Sequence, residues 1–357
     1  MAEHQPRKAS FSFTNQSAVT SIALALMLGL AVTITAAPAA QAQTFQVLHN
    51  FTNGLDGANP YTGLTMDRAG NLYGTAEHGG SQANDCHIVN GCGTVFELAH
   101  QGAGFIFRPL YQFQGFPSGD GANPQGRVIF GPDGALYGTT SYGGQNGEGC
   151  GNEMPGCGIV FKLSPQPTFC KSFTCNWQET RIYNFSGPSD GDVPRGEIAF
   201  DAAGNLYGAT ELNGPGGWGT AYELTPAHDT WTLTILHGFE ERLDGANPMG
   251  GVQLDQAGNV YGTTNIGGDG EAGTAFQLVP SGSGWTLNIL TDFNYNSGGF
   301  ALLAGLIVGP ETTSTAPLPT EVPTGLPMSS VPRTVVGSTT PSMPFLTSIA
   351  VEWAPTW

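Results

Sequence analysis

Apolar and polar residues alternate along this chain in short runs, and each run is closed by Gly, Asp-Gly or Asn. A period of two predicts β-strands with one face turned to a core, and the punctuation predicts tight antiparallel turns. Between Gly251 and Phe293 the pattern resolves into four strand-sized pieces: a (Gly251–Asp255), b (Asn259–Thr264), c (Gly273–Leu278) and d (Trp285–Phe293). Gln256-Ala257-Gly258-Asn259 joins a to b, since Gly and Asn accept the positive φ of a hairpin turn. Gly267-Gly268 separates b from c.

The same order of pieces recurs. Its centre is Gly70-Asn71-Leu72-Tyr73-Gly74-Thr75, Gly134-Ala135-Leu136-Tyr137-Gly138-Thr139, Gly204-Asn205-Leu206-Tyr207-Gly208-Ala209 and Gly258-Asn259-Val260-Tyr261-Gly262-Thr263. The tyrosines lie 64, 70 and 54 residues apart, and the two longer intervals contain the cysteine pairs. Four antiparallel strands per period is one propeller blade. The fold class expected is all-β: a β-propeller of four full four-stranded blades plus a partial fifth. A d-like strand, Phe45–Phe51, precedes the first copy and is expected to close the ring. A stacked β-solenoid is the alternative, although its coils are usually shorter.

Gly305-Leu306-Ile307-Val308-Gly309-Pro310 begins a fifth copy, and the pattern then stops. Thr315 stands where the next tyrosine is due. Joining the third base of each codon to the first two of the next lets Thr313-Ser314-Thr315-Ala316-Pro317-Leu318 encode N-L-Y-G-T-T. In the same frame Thr320-Glu321-Val322 can continue as D-G-G, and Met328-Ser329-Ser330-Val331 can give D-V-F-R. Two of every three bases are dictated by the residues present, so residues 311–357 read as a frameshifted tail without a fold of its own. A Pro/Thr/Ser-rich linker or stalk is the other reading. The domains expected are 1–42, a signal peptide; 43–310, the propeller; and 311–357, an irregular tail.

Composition adds the compartment. Arg7 and Lys8 precede an uncharged stretch, Ala18 to Ala37, and then Ala40-Gln41-Ala42, a small-x-small cleavage pattern. This predicts export and cleavage before Gln43, with an uncleaved anchor as the alternative. No membrane insertion is expected of the mature chain. Cys86 and Cys92, Cys150 and Cys157, and Cys170 and Cys175 form three close pairs. In an oxidising compartment they predict three local disulfides; zinc is the competing use, but no CxxC is present. A net charge of −17 argues against nucleic acid as a partner. The chain is expected to be secreted, periplasmic or on the cell surface.

The recurring D-G-x-x-P, G-N-L-Y-G-T and G-T-V-F-x-L motifs, over residues 45–310, resemble the bacterial secreted tandem-repeat proteins called choice-of-anchor GloVer-containing proteins. That resemblance implies export and a repeat fold, with no settled activity. A looser similarity is to NHL-type propellers, whose basic patches are missing here.

Candidate chemistry is sparse. Asp56, Asp120, Asp190 and Asp244 lead the D-G turns between d and a, on the same face as the b–c connections. They are the candidate ligand-binding residues, for Ca²⁺ or a polyol; no other cofactor is expected. The simpler account is that Asp before Gly caps a turn in every copy. Asp67, Asp201 and Asp255 precede the a–b hairpins and invite the same account. Tyr73, Tyr137, Tyr207 and Tyr261 are expected to pack between blades with bonded hydroxyls. His78, His87 and Glu77 are a minor metal candidate. Neither GxSxG, HExxH nor a P-loop occurs. The function expected is an exported non-enzymatic module that binds a glycan or an extracellular protein. The alternative is a propeller enzyme (a lactonase or a polysaccharide lyase or hydrolase), marked by a polar cluster found in one blade alone.

Overall fold

The computed structural model describes residues 45–80, 91–116, 118–145, 150, 156–165, 177–228, 230–295, 302–308, 332–337 and 348–353. The proposed leader, Cys86, His87, Cys170 and Cys175 lie outside these residues. Two units are distinguished, Met1–Val47 and Leu48–Trp357, and all the repeats lie in the second.

The described residues form an all-β fold without a helix. Each repeat is one four-stranded antiparallel sheet in the order a-b-c-d. Repeat 1 comprises Thr65–Met66, Leu72–Ala76, Thr94–Gln101 and Gly104–Gln112. Repeat 2 comprises Ile129–Phe130, Leu136–Thr140, Ile159–Ser164 and Gln178–Asn184. Repeat 3 comprises Ala199–Phe200, Leu206–Thr210, Thr220–Ala227 and Thr230–Gly238. Repeat 4 comprises Gln253–Leu254, Val260–Thr263, Glu271–Ser281 and Gly284–Asn294. Strand a is shorter than its sequence pattern, and c and d are longer.

Two devices are shared by the repeats. The glycine of Y-G-T admits an aromatic ring from strand c: a Cβ at Gly138 would lie 2.7 Å from the Phe161 ring, and one at Gly262 2.5 Å from Phe276. The second device is a bulge between c and d, at Val95/Phe96, Arg181/Tyr183, Ala221/Tyr222 and Ala275/Phe276. A bulge re-aims the side chain that follows it. Here it turns Tyr111, Tyr183 and His237 towards the D-G turn.

Consecutive sheets pack against one another through apolar clusters. Tyr73 of repeat 1 meets Phe130 and Trp177 of repeat 2; Tyr137 meets Phe200 and Trp231 of repeat 3; Tyr207 meets Trp285 of repeat 4. Ring separations of 5.0–6.5 Å suit edge-on aromatic packing. The hydroxyls of Tyr73, Tyr137, Tyr207 and Tyr261 donate to Asp67, Asp133, Asp201 and Asp255. The buried inter-sheet position of each tyrosine is thus satisfied at its polar end.

The leading segment departs from expectation. Residues 45–51 form no strand, although Leu48 and Phe51 pack beside Phe96, Leu98 and Phe107. A strand requires a ladder partner, and no fifth-copy strand c lies beside this segment among the described residues. In the tail, Pro332–Gly337 and Ser348–Trp353 are strands that join Leu306–Val308 in a three-stranded sheet. The composition of the tail does not announce them.

Candidate functional site

The D-G turns come first. After the bulge, the side chain of strand d reaches the turn aspartate. Tyr111 OH donates to Asp120 at 2.9 Å, Tyr183 OH to Asp190 at 2.9 Å, and His237 Nε2 lies 2.5 Å from Asp244. His49 Nε2 lies 3.1 Å from Asp56. Backbone N–H groups of Thr52, Gln114, Ser186 and Glu240 donate to the same carboxylates. At Asp56 burial works against ionisation, but bonds from Thr52, His49 and Gly54 outweigh it and hold the pKa low. At Asp120 burial wins over bonds from Gln114, Tyr111 and Gly121, and the pKa is raised. The four aspartates therefore sit in equivalent turns, one per repeat, with their oxygens already engaged.

The a–b hairpins are built alike. Asp67, Asp201 and Asp255 accept from the backbone and side chain of Asn71, Asn205 and Asn259. At Asp67 these bonds outweigh the opposing effect of burial and hold the pKa low. Repeat 2 has Ala135 in place of the Asn, and its Tyr137 turns to Asp133, which also pairs with Lys162 at 2.6 Å.

Repeat 3 breaks the pattern. After the D-G turn, Ala58, Ala122 and Ala246 in the other repeats correspond to Asp192. Asn59, Asn123 and Asn247 correspond to Val193. Tyr61, Gln125 and Met249 correspond to Arg195. At the end of strand b, Gly79, Gly143 and Gly267 correspond to Asn213. These departures meet in space. Asp192 bridges Leu212 through the backbone, and Asn213 Nδ2 donates to Asp192 Oδ2 at 2.9 Å. Arg195 Nε lies 2.9 Å from Glu211 Oε2. Asp192 is 1% exposed, and its Oδ1 has no hydrogen-bond partner among the described residues. Burial raises the pKa of Asp192, with the Asn213 bond opposing it and the charge of Asp190 adding to it. Burial likewise raises Glu211, with Arg195 opposing and Asp192 adding.

A tryptophan stands beside this cluster. Trp218 pairs with Asn213 in a parallel bridge, and its carbonyl accepts from Asn247 N at 3.0 Å. Cys92 and Cys157 occupy its position in repeats 1 and 2, by the same carbonyl contact to Asn123 and Val193, and Ala272 precedes the equivalent glycine in repeat 4. Those three are 0–1% exposed, whereas Trp218 is 36% exposed and belongs to none of the apolar clusters between sheets. The signal for this site was present in the sequence as D-G-D-V-P-R against D-G-A-N-P-x. Attention to what recurs passes over it.

Cys150 and Cys157 form a disulfide with Cα atoms 4.9 Å apart, and Cys92 is disulfide-bonded. His78 Nε2 lies 3.5 Å from Glu77 Oε2. No group of three His, Cys, Asp or Glu side chains placed to hold a metal occurs among the described residues. No helix of the described residues is long and apolar enough to cross a membrane. In repeat 4, Glu241, Arg242, Asp269, Glu271 and Tyr295 line an open groove of about 450 Å³.

The Gloeobacter/Verrucomicrobia repeat profile matches residues 29–174 and 150–311. No curated protein matches the chain. Among solved structures, the chain is similar to a candidate 6-phosphogluconolactonase from Bacteroides uniformis, at 12% identity and a TM-score of 0.35, over 64% of this chain and 70% of that one. It is similar to the Trypanosoma rangeli sialidase at 13% identity and a TM-score of 0.36, over 64% of this chain and 37% of that one. An endo-arabinase from Bacteroides thetaiotaomicron gives 11% identity and a TM-score of 0.30, over 66% and 75%.

Proposed function

The chain belongs to the Gloeobacter/Verrucomicrobia repeat family, and on that premise we propose that it is an exported, non-enzymatic β-propeller module. Its ligand meets the edge formed by the d–a and b–c connections. The family is a repeat family, and repeat folds hold one backbone frame while their loops vary.

One observation carries the reading. In every repeat the backbone N–H at the end of strand b donates to the carbonyl of the residue before the d–a proline: Glu77 to Asn59, Ser141 to Asn123, Glu211 to Val193 and Asn265 to Asn247. That fixed frame displays a different pair each time: Glu77 with Tyr61, Ser141 with Gln125, Glu211 with Arg195 and Asn265 with Met249. The recurring aspartates are committed to turns, so the variable positions are what a ligand would read. The Cys150–Cys157 bridge suits an oxidising compartment and pins one of the loops on this edge.

Labelled full-length chain should show saturable retention on bacterial surface and extracellular-matrix material. Retention should survive EDTA, because the turn carboxylates need no metal to be satisfied. Absence of saturable retention would overturn the binding reading. Release of reducing sugar or opening of a lactone panel would overturn the non-enzymatic one.

A further inference from the structure

We propose that repeat 3 carries a carbohydrate-binding site, with Trp218 as the stacking platform and Arg195, Glu211 and Asn213 as hydroxyl partners oriented by Asp192. This names a ligand class for the binding module proposed above and rests on that reading.

Three observations converge. First, an indole is left 36% exposed at a position whose equivalents, Cys92, Cys157 and Ala272, are fully buried. A flat apolar face with a polar rim suits the C–H face of a pyranose ring and its equatorial hydroxyls. Second, the polar residues that repeat 3 alone places where the other repeats hold Ala or Gly, Asp192 and Asn213, lie on two segments that also carry Arg195 and Glu211 and that the Asp192–Leu212 bridge holds together. Third, Asp192 is almost wholly buried, with one oxygen bonded to Asn213 and the other unpartnered among the described residues. Burying an unmatched carboxylate oxygen costs stability and is kept only where something requires it. Orienting Asn213 at the foot of the Trp218 loop is such a requirement.

The set of groups favours sugar over other ligands. Arg195 and Glu211 offset each other at 2.9 Å and Asp192 is 1% exposed, so the site presents no excess charge at its surface to an anion or a cation. What remains is a planar guanidinium donor, a carboxylate acceptor and an amide, which together match the paired donor and acceptor character of vicinal hydroxyls. A site that bonds hydroxyls discriminates by leaving its own polar groups unpaired when a hydroxyl is missing.

The test is calorimetric titration of the full chain with xylohexaose, cellohexaose, laminarihexaose and mannohexaose, after an oligosaccharide array has ranked them. Saturable binding to at least one is expected. Trp218→Ala should weaken it by ~10-fold or more, equivalent to about 1.4 kcal/mol. Arg195→Met with Glu211→Asn, the residues repeat 4 uses, should abolish measurable heat while leaving the melting temperature within a few degrees. Unchanged affinity in both variants would overturn the placement but leave the module reading intact. Absence of sugar binding alongside saturable retention on surface material would overturn the carbohydrate assignment alone. Loss of retention as well would sink the module.

Discussion

Glu179 stands directly across the c–d ladder from Leu163, in a position that pairs Phe107 with Leu98, Leu233 with Leu224 and Leu287 with Leu278 in the other three repeats. A carboxyl has taken a core slot. Its Oε1 is buried without a partner among the described residues. Burial pushes its pKa up to about 7, the charge of Asp120 adds to the rise, and Arg181 opposes it.

The stability consequence has a definite sign. The unfolded chain releases this proton near 4.5 and the folded chain near 7, so ionisation is penalised only in the folded state. The penalty is absent below 4.5, grows as pH rises towards 7, and is complete above it. Glu179→Leu should stabilise the protein by about 1–2 kcal/mol at pH 8, allowing for the partial exposure of the group. At pH 4 the gain should shrink to a small packing term. Urea titrations at the two pH values measure it, and an equal gain at both would refute the assignment.

Val193 adopts a φ of 55°, the left-handed conformation that Asn59, Asn123 and Asn247 hold at 54–58°. Asn tolerates this region and a β-branched residue does not. Asn123 and Asn247 also use their amides, donating to the carbonyls of Glu77 and Glu211 in the preceding repeat at 3.2 and 3.3 Å. Val193→Asn relieves the strain and supplies the missing bond to the carbonyl of Ser141. It should raise stability by about 1–2 kcal/mol. A neutral or destabilising result in chemical denaturation would show that the frame at repeat 3 differs from its neighbours.

The strands and the roles of the repeat tyrosines were legible in the sequence, because alternation and turn chemistry act over a few residues. Gly258-Asn259 after Asp255 specifies its hairpin by itself. The route by which Tyr183 reaches Asp190 was not legible, because a bulge between Arg181 and Tyr183 decides it and leaves no mark in a period-two pattern. The site at Trp218 was hidden for a different reason. Its members are separated in sequence, and each looks like ordinary loop variation until the backbone brings Asp192 beside Leu212. The expectation for Phe45–Phe51 failed because strand formation depends on a partner elsewhere in the chain.

Trp231 tests whether the sheets depend on their neighbours. Its ring lies 6.5 Å from Tyr137, across the interface between repeats 2 and 3, beside Ile129, Leu233 and Ile235 in the same apolar cluster. Each sheet is too small to bury its own apolar face, so cutting one interface should weaken the whole array. Trp231→Ala should cost about 2–4 kcal/mol, near the lower end because the indole is only partly buried. One cooperative transition, shifted to lower denaturant, is expected. A separate early transition confined to repeat 3 would mean that the repeats unfold independently.

The last prediction concerns the coding DNA behind residues 311–331. The fifth copy starts in register. Thr263 Oγ1 donates to the carbonyl of Ala304 at 2.9 Å, as Thr75 does to Gly126 and Thr139 to Gly196. Leu306 is 1% exposed, matching Val128, Ile198 and Val252 at 0–2%. The departure follows at once. Strand a of every complete repeat pairs antiparallel with its own strand b, whereas Leu306–Val308 pairs in parallel with Pro332–Gly337. At the other end of the array Leu64, the counterpart of Leu306, is 37% exposed, with no preceding four-stranded sheet among the described residues. A fifth sheet read from the shifted frame would give Leu306 its antiparallel partner and supply an interface of the kind Leu64 lacks. The third bases of the codons for Thr312 to Pro317 should therefore spell Asn-Leu-Tyr-Gly-Thr-Thr when joined to the bases that follow. A chain translated in the restored frame should melt at a higher temperature than this one. Third bases that spell any other sequence there would identify the tail as a genuine Pro/Thr/Ser-rich segment.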